Sequence, residues 1–259
     1  MRQLQVVKIG TSSMFHNGSI DYERLSRLGY DLAQLTLEKA TDSVLVVSGA
    51  IRLGMKDKGL TEKPKESPDL QSCARVGQPL LMEAYTRGLR QGYETYATGE
   101  ATPKIKLLTG QYLITYHNLD DTIEMRNIVD GIRLDVGGKI VPLVNYNDGV
   151  DPTEVTRDND NIAARLTRAL VADRLVIMTD VDGLLDQEDK LVQRVTEVNG
   201  YVKGLIRTGG TGTGSMRTKL EAAELLLGAN IPTIIGNINY GLVRLLENEE
   251  IRTLVKRTN

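Results

Sequence analysis

Short β-branched runs along this chain alternate with longer stretches in which apolar residues recur every three or four positions, the pattern of a parallel sheet covered by helices on both faces. Leu4 to Ile9 predicts a first strand, Asp21 to Lys39 a helix whose Leu25, Leu28, Leu32 and Leu35 share one face, and Ser43 to Val47 a second strand. Together they make a βαβ unit. Asp69 to Leu89 carries Val76, Leu80, Leu81 and Tyr85 at helical spacing, and the Lys-, Glu- and Pro-rich stretch before it, Lys56 to Ser67, predicts a mobile surface segment. The alternation continues with a strand at Ile140 to Val144, a helix from about Asn161 to Val171 and a strand at Arg174 to Met178. A helix over roughly Met216 to Leu227 and a strand at Ile231 to Ile235 complete it. The class is α/β, expected as a three-layer αβα sandwich with a central, mostly parallel sheet. No internal repeat or linker interrupts it, which favours one domain with two lobes.

Composition narrows the function classes. The 259 residues suffice to bury a sizeable core. A formal charge of -2, with acids and bases interspersed, lacks the basic field that phosphate-backbone binding needs, so nucleic acid is not an expected partner. The lack of Trp and a lone Phe15 leave few platforms for base stacking. Cys73 is the only cysteine and fits a small buried residue on a helix in a reducing compartment. The start lacks a signal-peptide stretch and no run reaches membrane-spanning length, so the expectation is a soluble, cytoplasmic protein with no membrane partner.

In open parallel sheets, ligands bind beyond the carboxyl ends of the strands. There the first strand leads into Lys8-Ile9-Gly10-Thr11-Ser12-Ser13 and the second into Ser48-Gly49-Ala50-Ile51, two segments whose glycines let backbone N–H groups approach an anion and could equally be plain turns. The strand at Ile140 runs into Asn145-Tyr146-Asn147-Asp148. After it, Arg157-Asp158-Asn159-Asp160-Asn161 stands at a helix entrance, where Asp158 fits an N-cap as well as a binding residue. Thr179-Asp180-Val181-Asp182-Gly183 places acids just beyond a buried strand, suited to holding Mg²⁺, to orienting a lysine, or to closing an Asp-Gly turn. Thr211-Gly212-Thr213-Gly214-Ser215-Met216-Arg217-Thr218-Lys219 is a glycine-rich loop entering a helix. Its amides, the helix N-terminus and Lys219 together suit a polyphosphate. It is not the P-loop order, and His16 and His117 lack the spacing of a triad or zinc site.

These segments, in this order, resemble the glutamate 5-kinase family within the amino-acid-kinase superfamily, from Lys8 to about Asn237. The most specific pieces are Val7 to Ser13, Val47 to Ile51 with Gly54, Val76-Gly77-Gln78, and Gly212-Thr213-Gly214 to Thr218-Lys219-Leu220. The resemblance implies ATP-dependent phosphorylation of the γ-carboxylate of L-glutamate to L-glutamyl 5-phosphate, the first step of proline biosynthesis, with ATP and Mg²⁺. By the same resemblance Lys8 and Lys219 stabilise the transferring phosphoryl group, Asp180 holds both lysines, and Gly10 and Thr11 donate backbone hydrogen bonds to phosphate. Ser48, Gly49, Ala50, Asn145, Asp148, Asp158, Asn159 and Asp160 then belong to the glutamate side. Thr179, Asp180, Thr213, Gly214, Ser215, Met216, Arg217, Thr218 and Lys219 line the ATP site. A glutamate-binding lobe over about 1–170, an ATP-binding lobe over about 171–259, a homodimer or homotetramer, and coupling to glutamyl phosphate reductase are further implications. So is a short form without the carboxyl-terminal PUA domain.

The chain also departs from the family's pattern. Tyr146 stands where Glu is usual, Asp151-Pro152 is unexpected in a loop one residue short, Val47 replaces a Ser, and Leu185 replaces a Tyr. Two rival readings follow: another superfamily kinase with a carboxylate, carbamate or phosphate acceptor, and a catalytically silent amino-acid- or nucleotide-binding regulator. The joint presence of Lys8, Asp180 and Lys219 argues for an active kinase.

Overall fold

The computed structural model describes residues 2–16, 18–99, 106–151, 159–206 and 215–258. In its first half, strand β1 (Gln3–Ile9) leads through a small hairpin, β2 (Phe15–His16) and β3 (Ser19–Ile20), to helix α1 (Tyr22–Leu37) and strand β4 (Thr41–Val46). Helices α2 (Ala50–Asp57) and α3 (Ser67–Gly99), strand β5 (Leu108–Ile114), helices α4 (Tyr116–Asp120) and α5 (Thr122–Gly137) and strand β6 (Ile140–Tyr146) follow. The second half holds α6 (Asn159–Ala169), β7 (Arg174–Thr179), β8 (Arg194–Val195), α7 (Gly200–Gly204), α8 (Met216–Leu227), β9 (Thr233–Asn237), α9 (Leu242–Glu247) and β10 (Arg252–Val255).

Eight strands form one sheet in the order β5-β6-β4-β1-β7-β9-β10-β8. Pairing is parallel from β5 to β9, antiparallel between β9 and β10, and parallel again between β10 and β8. The inner strands read as continuous apolar runs because both faces are buried. In β1 and β4, Val6, Val44 and Val46 join the core under α5, α6 and α8, while Val7, Ile9 and Leu45 join the core under α1 and α3. That is the period of two expected of a strand, and it places Lys8 on the same face as Val6, toward α6 and α8. The expected α/β sandwich is therefore present.

From β1 the chain passes to β4 and on to the edge strand β5, returns to β6 between β5 and β4, then crosses back by α6 to start β7 on the other side of β1. The carboxyl ends of β1 and β7 flank this change of direction, the place where such sheets bind ligands. Close helix packing steadies it. A Cβ built on Gly77 of α3 would lie 1.8 Å from the Ala50 carbonyl oxygen of α2, and one on Gly54 of α2 would lie 1.8 Å from that of Cys73. Glycine is needed at both helix positions because the backbones touch. Cys73 itself is buried, as expected of it.

Several expectations need adjustment. The helix predicted over 69–89 is longer, Ser67–Gly99, and carries Pro79 on an exposed turn. Of the predicted surface segment 56–67, Lys56 and Asp57 close α2, and the exposed stretch between the helices is 58–66. Residues 50–57, 108–114 and 122–137 form elements that the pattern reading did not assign.

Candidate active site

Lys8 is the penultimate residue of β1 and reaches across to α6, where its Nζ lies 2.6 Å from Asp160 Oδ1. Lys219, in the first turn of α8, approaches from the other side, with Nζ 3.2 Å from Asp160 Oδ2. Thr218 Oγ1 donates to the same oxygen at 2.8 Å. Asp160 is 0% exposed and each lysine 3%, so one carboxylate holds two ammonium groups side by side out of water. Burial alone would raise the Asp160 pKa. The charges of Lys8 and Lys219 and the hydrogen bonds from Lys8 and Thr218 outweigh it and hold the carboxyl well below its ordinary range. Asp160 is thus ionised across the neutral range.

This arrangement corrects the sequence expectation. The acid that holds both lysines is Asp160, which was expected on the glutamate side, and not Asp180. Asp180 is exposed and accepts from the Thr179 hydroxyl at 3.1 Å, and its backbone carbonyl accepts from Asn237 Nδ2 at 3.3 Å. Asn237 also donates to Asp182 Oδ1 at 3.0 Å, tying the end of β7 to the end of β9. The physical reason is direction: Asp160 sits in the first turn of α6, facing the sheet, whereas Asp180 follows the last residue of β7 and turns to solvent.

Around this centre the other strand ends converge. The Thr11 and Ser48 hydroxyls are 2.6 Å apart, joining the loops after β1 and β4. Gly10 N donates to the Met178 carbonyl at 3.2 Å, so the β1 loop leaves along β7. Gly49, at the N-cap of α2, has φ +119°, a conformation glycine adopts without strain, and a Cβ there would meet the Phe15 ring at 2.9 Å. Ala50 begins the helix and is buried. Behind Asp160, Asn159 Nδ2 bonds the Val47 carbonyl at 3.2 Å and Asn145 Oδ1 at 3.4 Å, and Asn145 Nδ2 donates to Gln78 Oε1 at 2.8 Å. This buried amide chain locks the entry of α6 to the ends of β4 and β6. Asp148 is buried against the start of the loop after β6. Ser215 is the N-cap of α8 and exposed with Arg217, while Met216 packs on the core. Asp158, Thr213 and Gly214 lie outside the described residues. Gln78 and Asn237 were not singled out for chemistry by the sequence reading; the Val76-Gly77-Gln78 motif was the only signal for the former.

The switch point of this parallel sheet carries two lysines clamped on one buried acid, fixed positive charge for an anion, and residues 3–237 match the amino acid kinase family, to which the chain belongs. Among its relatives, glutamate 5-kinase of Carboxydothermus hydrogenoformans is 34% identical over 260 residues, spanning 96% of this chain. The chain covers 66% of that relative's length. Glutamate 5-kinase of Ligilactobacillus salivarius is 32% identical over 267 residues, 96% of this chain and 94% of the relative. Carbamate kinase from Giardia lamblia bound to AMP-PNP superposes with a TM-score of 0.67 over 99% of both chains at 15% identity, a likeness of fold. Among the described residues no helix is long and apolar enough to cross a membrane.

Proposed function

We propose that this protein transfers the γ-phosphoryl group of ATP to the side-chain carboxylate of L-glutamate, giving L-glutamyl 5-phosphate and ADP. The observation that carries the proposal is the Lys8–Asp160–Lys219 cluster at the switch point of the sheet. The relatives named glutamate 5-kinase support the choice of acceptor. In this reading residues up to about 170 hold glutamate and the remainder hold ATP, with transfer in the cleft between the two lobes.

The glutamate carboxylate is ionised near neutral pH, so it attacks the γ-phosphorus without a general base. The new O–P bond forms as the bond from phosphorus to the β,γ-bridging oxygen breaks, and ADP leaves with that electron pair. Charge builds on the phosphoryl oxygens, and Lys8 and Lys219, fixed in advance by Asp160, meet it without reorganising. The N-terminus of α8 and the amides after β1 supply further donors. Mg²⁺ fits as a companion of the triphosphate. Among the described residues no three acids, histidines or cysteines gather to cage a metal, and Mg²⁺ is commonly held by phosphates with one or two carboxylates. Asp180 and Asp182 are exposed at the end of β7 and would supply them; the ion would add charge neutralisation. The acyl phosphate product is labile, so a reductase such as glutamyl phosphate reductase must consume it promptly; action in the cytoplasm as a homo-oligomer completes the reading.

The test is purified protein with MgATP, glutamate and hydroxylamine, which traps the acyl phosphate as a hydroxamate. Glutamate should give hydroxamate, while aspartate, N-acetylglutamate, UMP and carbamate should support far less ADP release. A better rate with any of these would overturn the acceptor assignment.

A further inference from the structure

A cavity of about 270 Å³ lies between α3 and the loop after β6, with Ala50, Arg75, Gln78, Tyr146, Asp148 and Gly149 in its wall. Its charged members are of opposite sign, Arg75 and Asp148. Asp148 is 7% exposed. The Arg75 guanidinium donates one hydrogen bond, from Nη1 to the Gly149 carbonyl at 2.9 Å, and its other N–H groups have no partner among the described residues. Arg75 is exposed, and a guanidinium offers five donors, so the others are open to solvent or to a ligand. The Gln78 amide nitrogen is buried with no hydrogen-bond partner either, although its oxygen accepts from Asn145. Two unspent donors and one carboxylate in one cavity match a small molecule with an anionic head beside a cationic one.

We infer that Arg75 is a specificity-determining residue that binds the α-carboxylate of the amino-acid acceptor, with Gln78 as a second donor and Asp148 opposite for the α-ammonium group. This deepens the proposed function and rests on it. Physically, a planar guanidinium binds a carboxylate by two parallel hydrogen bonds, the geometry an α-carboxylate presents. The Gly149 bond holds Arg75 over the cavity. A Cβ at Gly149 would come within 3.0 Å of the Arg75 side chain at Cγ, so the loop and the arginine are fitted to one another. The amide chain from Gln78 through Asn145 to Asn159 then connects this head-group end with the residue before Asp160, so one buried network joins the cavity wall to the lysine cluster.

The experiment compares glutamate with 4-aminobutyrate, which keeps the reacting carboxylate and the ammonium group but lacks the α-carboxylate. Arg75→Met should lower kcat/KM for glutamate by about ten- to hundredfold, the span of one charge-assisted contact, chiefly through KM. It should leave 4-aminobutyrate unchanged, measured as kcat/KM or as its inhibition constant against glutamate, so the parent's preference collapses by the same factor. Arg75→Lys should recover part of the preference. Equal losses for both compounds would mean that Arg75 only supports the loop, and no loss for glutamate would remove it from the site; either overturns the inference. If the parent protein phosphorylates neither compound, the glutamate reading itself falls, and this inference with it.

Discussion

Replacing Asp160 by Asn preserves the shape of the side chain and an oxygen acceptor while removing the one charge that Lys8 and Lys219 share. Both lysines are 3% exposed, their ammonium groups at 2.6 and 3.2 Å from the carboxylate, so the variant takes from two buried cations the carboxylate they share. Removing one partner of a buried ion pair destabilises by about 3–5 kcal/mol, because the charge left behind is still out of water. For a chain of this size that corresponds to a melting temperature lower by roughly 10 °C. Turnover should fall about a hundred- to a thousandfold, the loss seen when a positioned transition-state donor is removed. Nucleotide separates this account from simple damage. A triphosphate supplies the missing negative charge, so MgATP should raise the melting temperature of Asp160→Asn by more than it raises that of the parent. Asp180→Asn provides the comparison, since Asp180 is exposed and touches neither lysine, and its melting without nucleotide should match the parent's. If Asp160→Asn melts with the parent, or if MgATP shifts it no further than the parent, then Asp160 is not the anchor of the lysines.

Three further outcomes follow from the same geometry. Lys219→Ala should lose about a hundredfold in turnover at saturating substrates, roughly 3 kcal/mol of transition-state stabilisation, with Lys219→Gln more impaired than Lys219→Arg; near-parent turnover in the alanine variant would defeat its catalytic role. Gly77→Ala should destabilise by about 1–3 kcal/mol and raise the KM for glutamate, because its methyl group would meet the Ala50 carbonyl at 1.8 Å and push the first turn of α2 aside; unchanged melting and kinetics would refute that packing. The Asp160 pKa is depressed in the folded state, so its stabilisation is complete above the ordinary carboxylate value of 3.8 and is lost as the pH falls through the lower folded value. The stability gap between parent and Asp160→Asn, measured by denaturant unfolding, should therefore be constant from about pH 5 to 8 and shrink only below about pH 4.

What the sequence made legible were the elements with strong periodicity and the strand ends that carry chemistry. The helix over Met216–Leu227 falls where it was expected, and α1 differs from its expected range by one residue at its start and two at its end. Lys8 and Lys219 converge on one acid from positions more than two hundred residues apart, because one lies near the end of an inner strand and the other in the first turn of a helix on the face toward which it points. The short helix α2 escaped because Gly54 interrupts its apolar pattern, and that glycine is there for packing against α3. Strand β5 escaped because it is an edge strand, half exposed and carrying Gly110 and Gln111, without the apolar run of its inner neighbours. The choice between Asp160 and Asp180 was not legible for a different reason. Both acids stand at the carboxyl-terminal edge of the sheet, and which one turns inward depends on the helix that follows β6, a tertiary relation that spacing does not encode.

The departures at Tyr146 and Asp151 illustrate how a loop absorbs change without losing its task. Tyr146 ends β6 and is 1% exposed, its ring 5.4 Å from that of Tyr116, so its hydroxyl needs a partner inside the protein. Asp151, the other unexpected residue of the same loop, accepts that hydrogen bond. Between them the backbone is held as well, since Asn147 N donates to the Ile114 carbonyl at 2.8 Å and the Val150 and Asp151 amides both donate to the Asn147 carbonyl at 3.1 Å. One residue that looked out of pattern therefore partners the other, and the tight turn they close carries Asp148 in the wall of the cavity beside α3. Tyr146→Phe should accordingly be milder than Asp151→Ala in thermal melting, because it removes the donor along with its need, whereas Asp151→Ala keeps the buried donor and takes away this acceptor.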